Sequence, residues 1–326
     1  MKIFRFLLTI FHLFIIVLLL GTYLNAYVPP KVFPWFNMLS LGFPVLMILH
    51  VVLCIFWIFL WKKRAFVFLL FSLFLINPTK RWVNYEGENK ELANLKIVTL
   101  NTKGGAFYGY QKIYDFLENT DADIILAQEY GAEFNVPGYE YKTDSYEIVA
   151  LNSKTKILNQ GKIATVGNGN AFFADVEING KKIRLINIYM SPFSFEKGKV
   201  KPAEDLDQNK VKLKYIVRKL VPTFKNHQDE VADIQKAVAD SPYPVILVGD
   251  FNAVPNSYEY YHIGKNLKDV FVETGNGSAT SFHDYKFPIR IDYVFCSPEL
   301  KPISYKVDRS VKLSDHFPVI TEFKID

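Results

Sequence analysis

Pro244-Val245-Ile246-Leu247-Val248-Gly249-Asp250-Phe251-Asn252 is an apolar run that stops at a glycine and then presents a carboxylate and a carboxamide two positions apart. In a strand or its extended continuation, side chains at i and i+2 share a face. Asp250 and Asn252 are therefore expected to meet one small substrate at the mouth of a sheet. The same residues also suit a β-turn, because Gly, Asp and Asn are common turn formers. The ends of the other strands bear on the choice.

Residues 95–100 form an apolar strand pattern that opens into Asn101-Thr102-Lys103-Gly104-Gly105. Residues 108–119 have the periodicity of an amphipathic helix, and 124–127 make a buried strand ending at Gln128-Glu129. Strand, helix and strand in that order predict sheets covered by helices. Further strands are expected at 148–152, 161–166, 171–178 and 182–190, the last two flanking Asn179-Gly180, a strong hairpin signal. A helix at 229–239 should feed the strand at Pro244, with strands at 292–296 and 319–323 to follow. The lysine-rich stretch 195–226 reads as a solvated linker and helix, or as a basic lip for a phosphate-rich ligand or a membrane surface.

Polar groups suited to phosphate chemistry stand at the ends of these strands. Asn101 follows the first and Glu129 the second, and Tyr189 lies near the end of the third. Asp250 and Asn252 follow the fourth, Asp292 opens the fifth after Arg290, and Ser314-Asp315-His316 precedes the last. Each has a plain structural alternative: Asn101 or Asp315 as a turn cap, Glu129 in solvent, Tyr189 in the core, Asp292 paired with Arg290. Their occurrence together in this order is what favours a site. His227, His262 and His283 sit in segments with no such pattern.

The ordered set Asn101, Gln128-Glu129, Tyr189, Gly249-Asp250-Phe251-Asn252, Arg290-Ile291-Asp292-Tyr293 and Ser314-Asp315-His316 resembles the endonuclease/exonuclease/phosphatase superfamily, the deoxyribonuclease I-like enzymes. The resemblance runs from Leu95 to about Lys324. It implies an α/β fold, a four-layer sandwich of two mixed β-sheets flanked by helices, and Mg²⁺-dependent cleavage of phosphate esters, with Mn²⁺ as a substitute. Glu129, Asn101 and Asp315 would then serve the metal, and Asp250 would activate the attacking water. Asn252 would hold the substrate, and His316, partnered by Asp292, would donate to the phosphate. Tyr189 stands where several members carry histidine; its hydroxyl can donate to a phosphate oxygen but does not titrate near neutral pH.

Composition divides the chain. No Asp or Glu occurs before position 80, and six of the 38 Lys and Arg do, so 32 basic residues face all 33 acidic ones beyond it. The overall charge of +5 thus belongs to the N-terminal segment, and bulk charge gives no argument for nucleic-acid binding. Residues 4–24, whose one charge is Arg5 near its start, and the uncharged 38–61 are apolar runs long enough to cross a bilayer core. A cleaved signal peptide is the alternative for the first, but a small-residue cleavage site is missing and a second long run follows. His50 within the second run is a polar site or a tolerated neutral histidine.

A third run, 65–76, is short for a span, and it decides the topology. Lys2, Arg5 and the Lys62-Lys63-Arg64 cluster belong on the cytoplasmic side. If the third run crosses, everything beyond Thr79 lies outside the cytoplasm, which is the expected placement. Cys54 and Cys296 make no disulfide framework and leave the compartment open. The chain is therefore expected to comprise a multi-pass transmembrane segment of two or three helices at 1–79, a linker at 80–94 and a catalytic domain at 95–326. The expected activity is a membrane-anchored phosphodiesterase, with a lipid bilayer and a phosphate ester, either a lipid head group or nucleic acid, as partners. A nuclease and a non-catalytic binding protein on the same scaffold are the alternatives, and no protein partner is expected.

Overall fold

The computed structural model describes residues 2–60, 63–87, 89–131, 134–144, 146–284 and 288–326. Apolar helices come first: α1 (Lys2–Gly21), α2 (Trp35–Phe59), α3 (Lys63–Phe74) and the short α4 (Ile76–Lys80). Two of them, α1 with its 3-10 extension and α2, are long and apolar enough to cross a membrane. Their burial is inside out. His12, Asn37, Ser40, His50 and Trp57 are buried, whereas Phe4, Phe11, Phe14, Val52, Ile55, Phe66 and Leu70 face outward. The buried groups satisfy one another: Trp57 Nε1 donates to His12 Nδ1 (3.1 Å), His12 Nε2 meets His50 Nδ1 (2.9 Å), and His50 Nε2 meets Ser72 Oγ (2.9 Å). Because the indole can only donate, the whole chain is satisfied by two neutral imidazoles. At one end Arg64 bonds to Thr9, and at the other Tyr23 bonds to the Phe74 carbonyl. The third helix therefore runs beside α1 in the same direction and returns toward the α1–α2 connection.

The rest of the chain builds a four-layer sandwich. Its elements are β1 (Val83–Tyr85), β2 (Leu95–Asn101), α5 (Tyr110–Asn119), β3 (Ile124–Gln128), β4 (Tyr141–Lys142), β5 (Ala150–Ser153), β6 (Ile157–Ile163), β7 (Asn170–Ile178) and β8 (Lys181–Tyr189). Next come α6 (Lys197–Val200), α7 (Leu206–Ala239), β9 (Val245–Asp250), α8 (Tyr258–Ile263), β10 (Lys268–Asp269), α9 (Val270–Thr274) and β11 (Asn276–Ser278). The series ends with β12 (Asp292–Cys296), β13 (Lys301–Val307) and β14 (Val319–Lys324). One sheet has the order β10-β12-β9-β8-β7-β6 and the other β13-β14-β2-β3-β5-β4. Both are mixed, with β8–β9 and β2–β3 as their parallel pairs.

Strands buried on both faces read as continuous apolar runs, which is why 245–248 and 124–127 lack alternation. Between the sheets lie Leu95, Ile97, Leu126, Phe172, Leu185, Ile246, Val294 and Phe323. Val231 and Ile234 of α7 and Tyr260 and Ile263 of α8 cover the outer face of the first sheet, and Ile113 and Leu117 of α5 cover the second. The Asn179-Gly180 hairpin forms as expected, both residues having positive φ (51° and 78°). Two boundaries differ from the sequence pattern. The lysine-rich stretch is largely helix, since α7 continues through Pro222 to Ala239, and its N-cap Asp205 accepts from the Asp207 and Gln208 amides. Part of the expected linker is β1, which pairs with β11.

The apolar helices dock directly on the sandwich. Leu19, Phe43, Leu75 and Trp82 pack with Val254, Ile291 and Phe282. Around them runs a polar belt centred on Asn256, fully buried at φ 69°. Its Oδ1 accepts from Arg81 Nη1 (2.8 Å) and its Nδ2 donates to the Pro78 carbonyl (3.3 Å). Its own carbonyl accepts from Asn25 Nδ2 (2.9 Å) and Ser40 Oγ (2.7 Å). Asn37 Oδ1 accepts from the Tyr258 amide (2.8 Å) and its Nδ2 donates to Glu259 (2.9 Å). Leaving buried partners unsatisfied costs about 1–3 kcal/mol per group. Asn256→Ala is therefore expected to lower the melting temperature of the full chain in detergent by several degrees, while an exposed control, Asn119→Ala, leaves it unchanged; equal melting temperatures would show that the belt contributes nothing.

Candidate active site

Strand register gathers the site. Across the first sheet Tyr189 of β8 lies opposite Asp250 of β9, and Asp250 lies opposite Asp292 of β12. Three neighbouring strands thus present polar side chains in one row. In the second sheet Asn101 of β2 lies opposite Gln128 of β3, so Glu129 follows one residue later, and His316 stands just before β14 on the other side of β2. Below the two rows a buried polar plug joins the sheets: Gln128 Nε2 donates to Asn187 Oδ1 (2.6 Å), and Asn187 Nδ2 donates to the Ala127 carbonyl (3.0 Å).

The rows meet. Asn101 Nδ2 donates to Glu129 Oε1 (3.0 Å) and to Asp250 Oδ2 (2.9 Å), while Asn101 Oδ1 accepts from the Lys103 amide (3.0 Å). Tyr189 donates to Glu129 Oε1 (3.2 Å). His316 Nδ1 is 2.8 Å from Asp292 Oδ2, and its Nε2 is 3.8 Å from Asp250 Oδ2. Asn252 Nδ2 donates to the Met190 carbonyl (2.9 Å), and its amide donates to Asp250 Oδ1 (2.8 Å). Asp315 Oδ2 lies 3.7 Å from Lys103 Nζ. Asn101, Glu129, Tyr189, Asp250, Asn252, Asp292, Asp315 and His316, the candidate site residues of the sequence, are in this cluster. Arg290 is not the partner of Asp292; it forms a buried two-pronged pair with Asp269 (2.6 and 2.7 Å).

The backbone is bent to make these contacts. Asn252 has φ 46°, so it meets Asp250 through a left-handed turn and not through strand alternation. Turn and site are the same object here. Gly249, at φ 140°, cannot be replaced, because a Cβ would fall 1.9 Å from the Ile188 carbonyl oxygen of the adjacent parallel strand. Glu129 is also left-handed (φ 47°), a strained conformation for a glutamate. It is held there because its carbonyl accepts from the Gly104 amide (2.8 Å) and the Thr102 hydroxyl (3.0 Å).

Charge crowding perturbs the titrating groups. Burial, reinforced by Asp292, pushes Asp250 upward despite the opposing charge of His316. Burial disfavours the charged form of His316, but Asp292 and Asp250 outweigh it and raise its pKa to about 9, so the imidazolium persists at neutral pH. Tyr189 is raised by burial and by the charges of Glu129 and Asp250, which keeps its hydroxyl protonated. Glu129 goes the other way: burial raises it, but the Asn101 hydrogen bond and the Lys103 charge prevail.

A protein-family model described as the Endonuclease/Exonuclease/phosphatase family matches residues 98–316, the span that carries all of these groups. The chain belongs to that family. It is accordingly a hydrolase acting on phosphate esters, of a class that depends on a divalent metal. A second model, for a domain of unknown function, matches residues 4–82. Solved structures with the same fold include the human Nocturnin catalytic domain with bound sulfate, 15% identical with a TM-score of 0.52 over 73% of this chain and 96% of that one. D. rerio TDP2 complexed with single-strand DNA product is 16% identical, with a TM-score of 0.50 over 71% and 99%. A family protein from Bacteroides thetaiotaomicron is 20% identical, with a TM-score of 0.50 over 71% and 98%. At these identities the likeness is one of fold. A comparison with curated proteins found no match.

The donor set fits the divalent ion that the family implies. Glu129, Asp250, Asp292 and Asp315 face Lys103 and His316, four carboxylates against two cations. The surplus of two negative charges is what a divalent ion neutralises. Asp315 Oδ1 is buried without a hydrogen-bond partner, an orphaned hard donor. Asp250, Asp292 and His316 also have donor atoms within 4.8 Å of one another. That trio suits a metal poorly, because His316 is engaged by Asp292 and protonated. Glu129 and Asp315 are the better ligands.

Lys103 and Ser314 complete the cluster, and neither had a role legible in sequence. Ser314 Oγ donates to the Asn101 carbonyl (2.6 Å) and accepts from the His316 amide (2.9 Å), locking the last motif to β2. Of the other histidines, His262 stacks on Tyr258, whereas His283 borders the cluster, packing on Phe317 while its amide donates to the Asp315 carbonyl (3.0 Å). His227 is fully buried behind the site, its Nδ1 2.8 Å from Glu259 and its Nε2 2.7 Å from the Ser191 carbonyl. Two acceptors require both ring nitrogens to carry protons. Burial lowers its pKa, but the hydrogen bond and charge of Glu259, with the charge of Glu230, raise it above the ordinary 6.5. A raised folded-state pKa gives stability that is complete below the unfolded value and lost as pH rises through the folded one. Wild-type melting temperature should therefore fall as pH is raised from 6.5 into the alkaline range, and His227→Gln should be less stable at pH 6 and lose this component of the pH dependence; parallel profiles for the two proteins would refute the charged His227.

Proposed function

We propose that this chain is a membrane-anchored phosphodiesterase in which Asp250 activates the attacking water. The observation that carries this is the meeting of Asp250, the His316–Asp292 pair and the Glu129–Asp315 bay at facing strand ends. Asp250 is raised by burial toward the range where a carboxylate can accept a proton at neutral pH. Asn101 holds it in place. His316, kept as the imidazolium by Asp292, donates to the phosphate oxygens where negative charge develops. The neutral Tyr189 hydroxyl and the Asn252 turn frame the same space. Glu129 and Asp315 would hold a Mg²⁺ or Mn²⁺ ion, with Asn101 orienting Glu129. Such an ion supplies Lewis-acid neutralisation of the phosphate.

Anchoring rests on the inside-out burial of α1, α2 and α3, since an apolar surrounding is what leaves so many aromatic and aliphatic side chains outside and so many polar ones within. The return of the third helix to the catalytic end, with Arg5 and Arg64 at the far end, supports the reading that the catalytic domain lies on the non-cytoplasmic side. The substrate we favour is a phosphate ester in a lipid head group. Phe282 meets the His316 ring edge to face (5.1 Å between centroids) and also packs in the helix-bundle cluster, so one aromatic ring separates the phosphate donor from the anchor.

Purified full-length protein should hydrolyse a phosphodiester lipid in mixed micelles in preference to DNA or RNA, lose activity in EDTA and regain it with Mg²⁺ or Mn²⁺. Asp250→Asn should lower kcat by about 10²–10⁴-fold, and Tyr189→Phe by much less. Faster turnover of nucleic acid would replace the lipid substrate, and undiminished turnover in Asp250→Asn would overturn the mechanism. In sealed inverted vesicles the catalytic domain should resist added protease.

A further inference from the structure

We propose that Lys103 holds the metal's place between Glu129 and Asp315 and, once displaced by the ion, binds the phosphate of the substrate. The inference rests on the phosphohydrolase function above. The Lys103 ammonium lies 3.1 Å from Glu129 Oε2 and 3.7 Å from Asp315 Oδ2, so it bridges two carboxylates contributed by distant parts of the chain. It does not satisfy them fully, because Asp315 Oδ1 remains buried and unpartnered. An ammonium has one unit of charge and three donors; a hard divalent ion has two charges and takes oxygen ligands from several sides at once. The bay is better matched to the ion than to the lysine.

The surroundings permit an exchange. The Lys103 side chain is 41% exposed, whereas that of Asp315 is 5% exposed, so the lysine can swing outward while the carboxylate stays. Its backbone cannot follow. Lys103 has φ 50°, its amide donates to Asn101 Oδ1 (3.0 Å), and the next amide, that of Gly104, donates to the Glu129 carbonyl (2.8 Å). A lysine is unfavourable in the left-handed region, where Gly or Asn fits. The constraint fixes the root of the side chain at the rim of the bay and leaves four flexible carbons to carry the charge. An ion seated on Glu129 repels the ammonium, which then lies beside the position of a metal-bound phosphate, a group that lysine binds as a point charge.

Lys103 thus acts with opposite sign on two equilibria, competing with the metal and assisting the phosphate. The test is calorimetric titration of the full chain in detergent, first with Mn²⁺ alone and then, at saturating Mn²⁺, with inorganic phosphate. Lys103→Met should bind Mn²⁺ several-fold more tightly and phosphate at least tenfold more weakly, and Lys103→Arg should restore phosphate binding. Unchanged Mn²⁺ affinity in Lys103→Met would overturn the competition, and unchanged phosphate affinity would overturn the binding role. Lys103→Gln serves if the methionine variant does not fold. Glu129→Gln separates the two levels of inference: if it leaves Mn²⁺ binding intact, the proposed metal site itself is wrong, whereas loss of binding there with no change in Lys103→Met removes only the role of Lys103.

Discussion

One side-chain amide ties the two halves of the sandwich together at the candidate active site. Asn101 Nδ2 donates both to Glu129, in its own sheet, and to Asp250, in the facing one. Two carboxylates so close repel each other, and a shared donor is the neutral way to hold them at a fixed separation. The rest of the site is arranged around that bridge. Ser314 fixes the Asn101 backbone, the Lys103 amide fixes its Oδ1, and the Gln128–Asn187 plug fixes the distance between the sheets below it. A sandwich whose sheets slid by one residue would lose the amide, and with it the common orientation of both carboxylates.

The interface with the apolar helices is built on the opposite plan from the core. Its centre is aromatic and aliphatic, but its belt is made of Asn25, Asn37, Ser40, Arg81 and Asn256, each paired across the junction. Arg81 adds cation–π contacts with Tyr260 and Tyr261, its guanidinium 4.7 and 4.5 Å from the ring centroids. Directional bonds fix orientation in a way that greasy contact does not. The sandwich is consequently not free to tumble on a tether; Val254 and Asn256, a few residues beyond Asp250, are part of the joint.

Much of this was legible in sequence because strand ends leave local signatures. Apolar runs closed by Asn101, Glu129 or Asp250, and one that follows His316, mark both the strands and the candidate site, and Asn179-Gly180 marks its hairpin. What escaped notice depends on contacts far apart in the chain. The partner of Arg290 is Asp269, not the nearer Asp292, because Asp292 turns to His316 in the other sheet. Lys103 has no role legible in sequence, since nothing local reveals that Asp315 comes within reach. The Asp250-Phe251-Asn252 geometry was misjudged for a different reason: period-two alternation holds only while the backbone stays extended, and here it stops at Asn252. The length of α7 was underestimated because lysines on a solvated helix face resemble a linker when the buried stripe, Tyr215, Leu220 and Phe224, is sparse.

The polar belt also bears on the order of assembly during synthesis. The apolar helices leave the ribosome first, and the residues that complete their belt, Asn256 to Glu259, follow roughly two hundred positions later. Through that interval Asn25, Asn37 and Ser40 lack their partners in the sandwich, Asn25 and Ser40 having only each other and the Phe36 carbonyl. An apolar docking face exposed for so long would invite aggregation or burial in lipid, whereas amides and a hydroxyl are solvated by water until Asn256 arrives. The same residues that orient the finished enzyme therefore keep the docking face of its unfinished form hydrated.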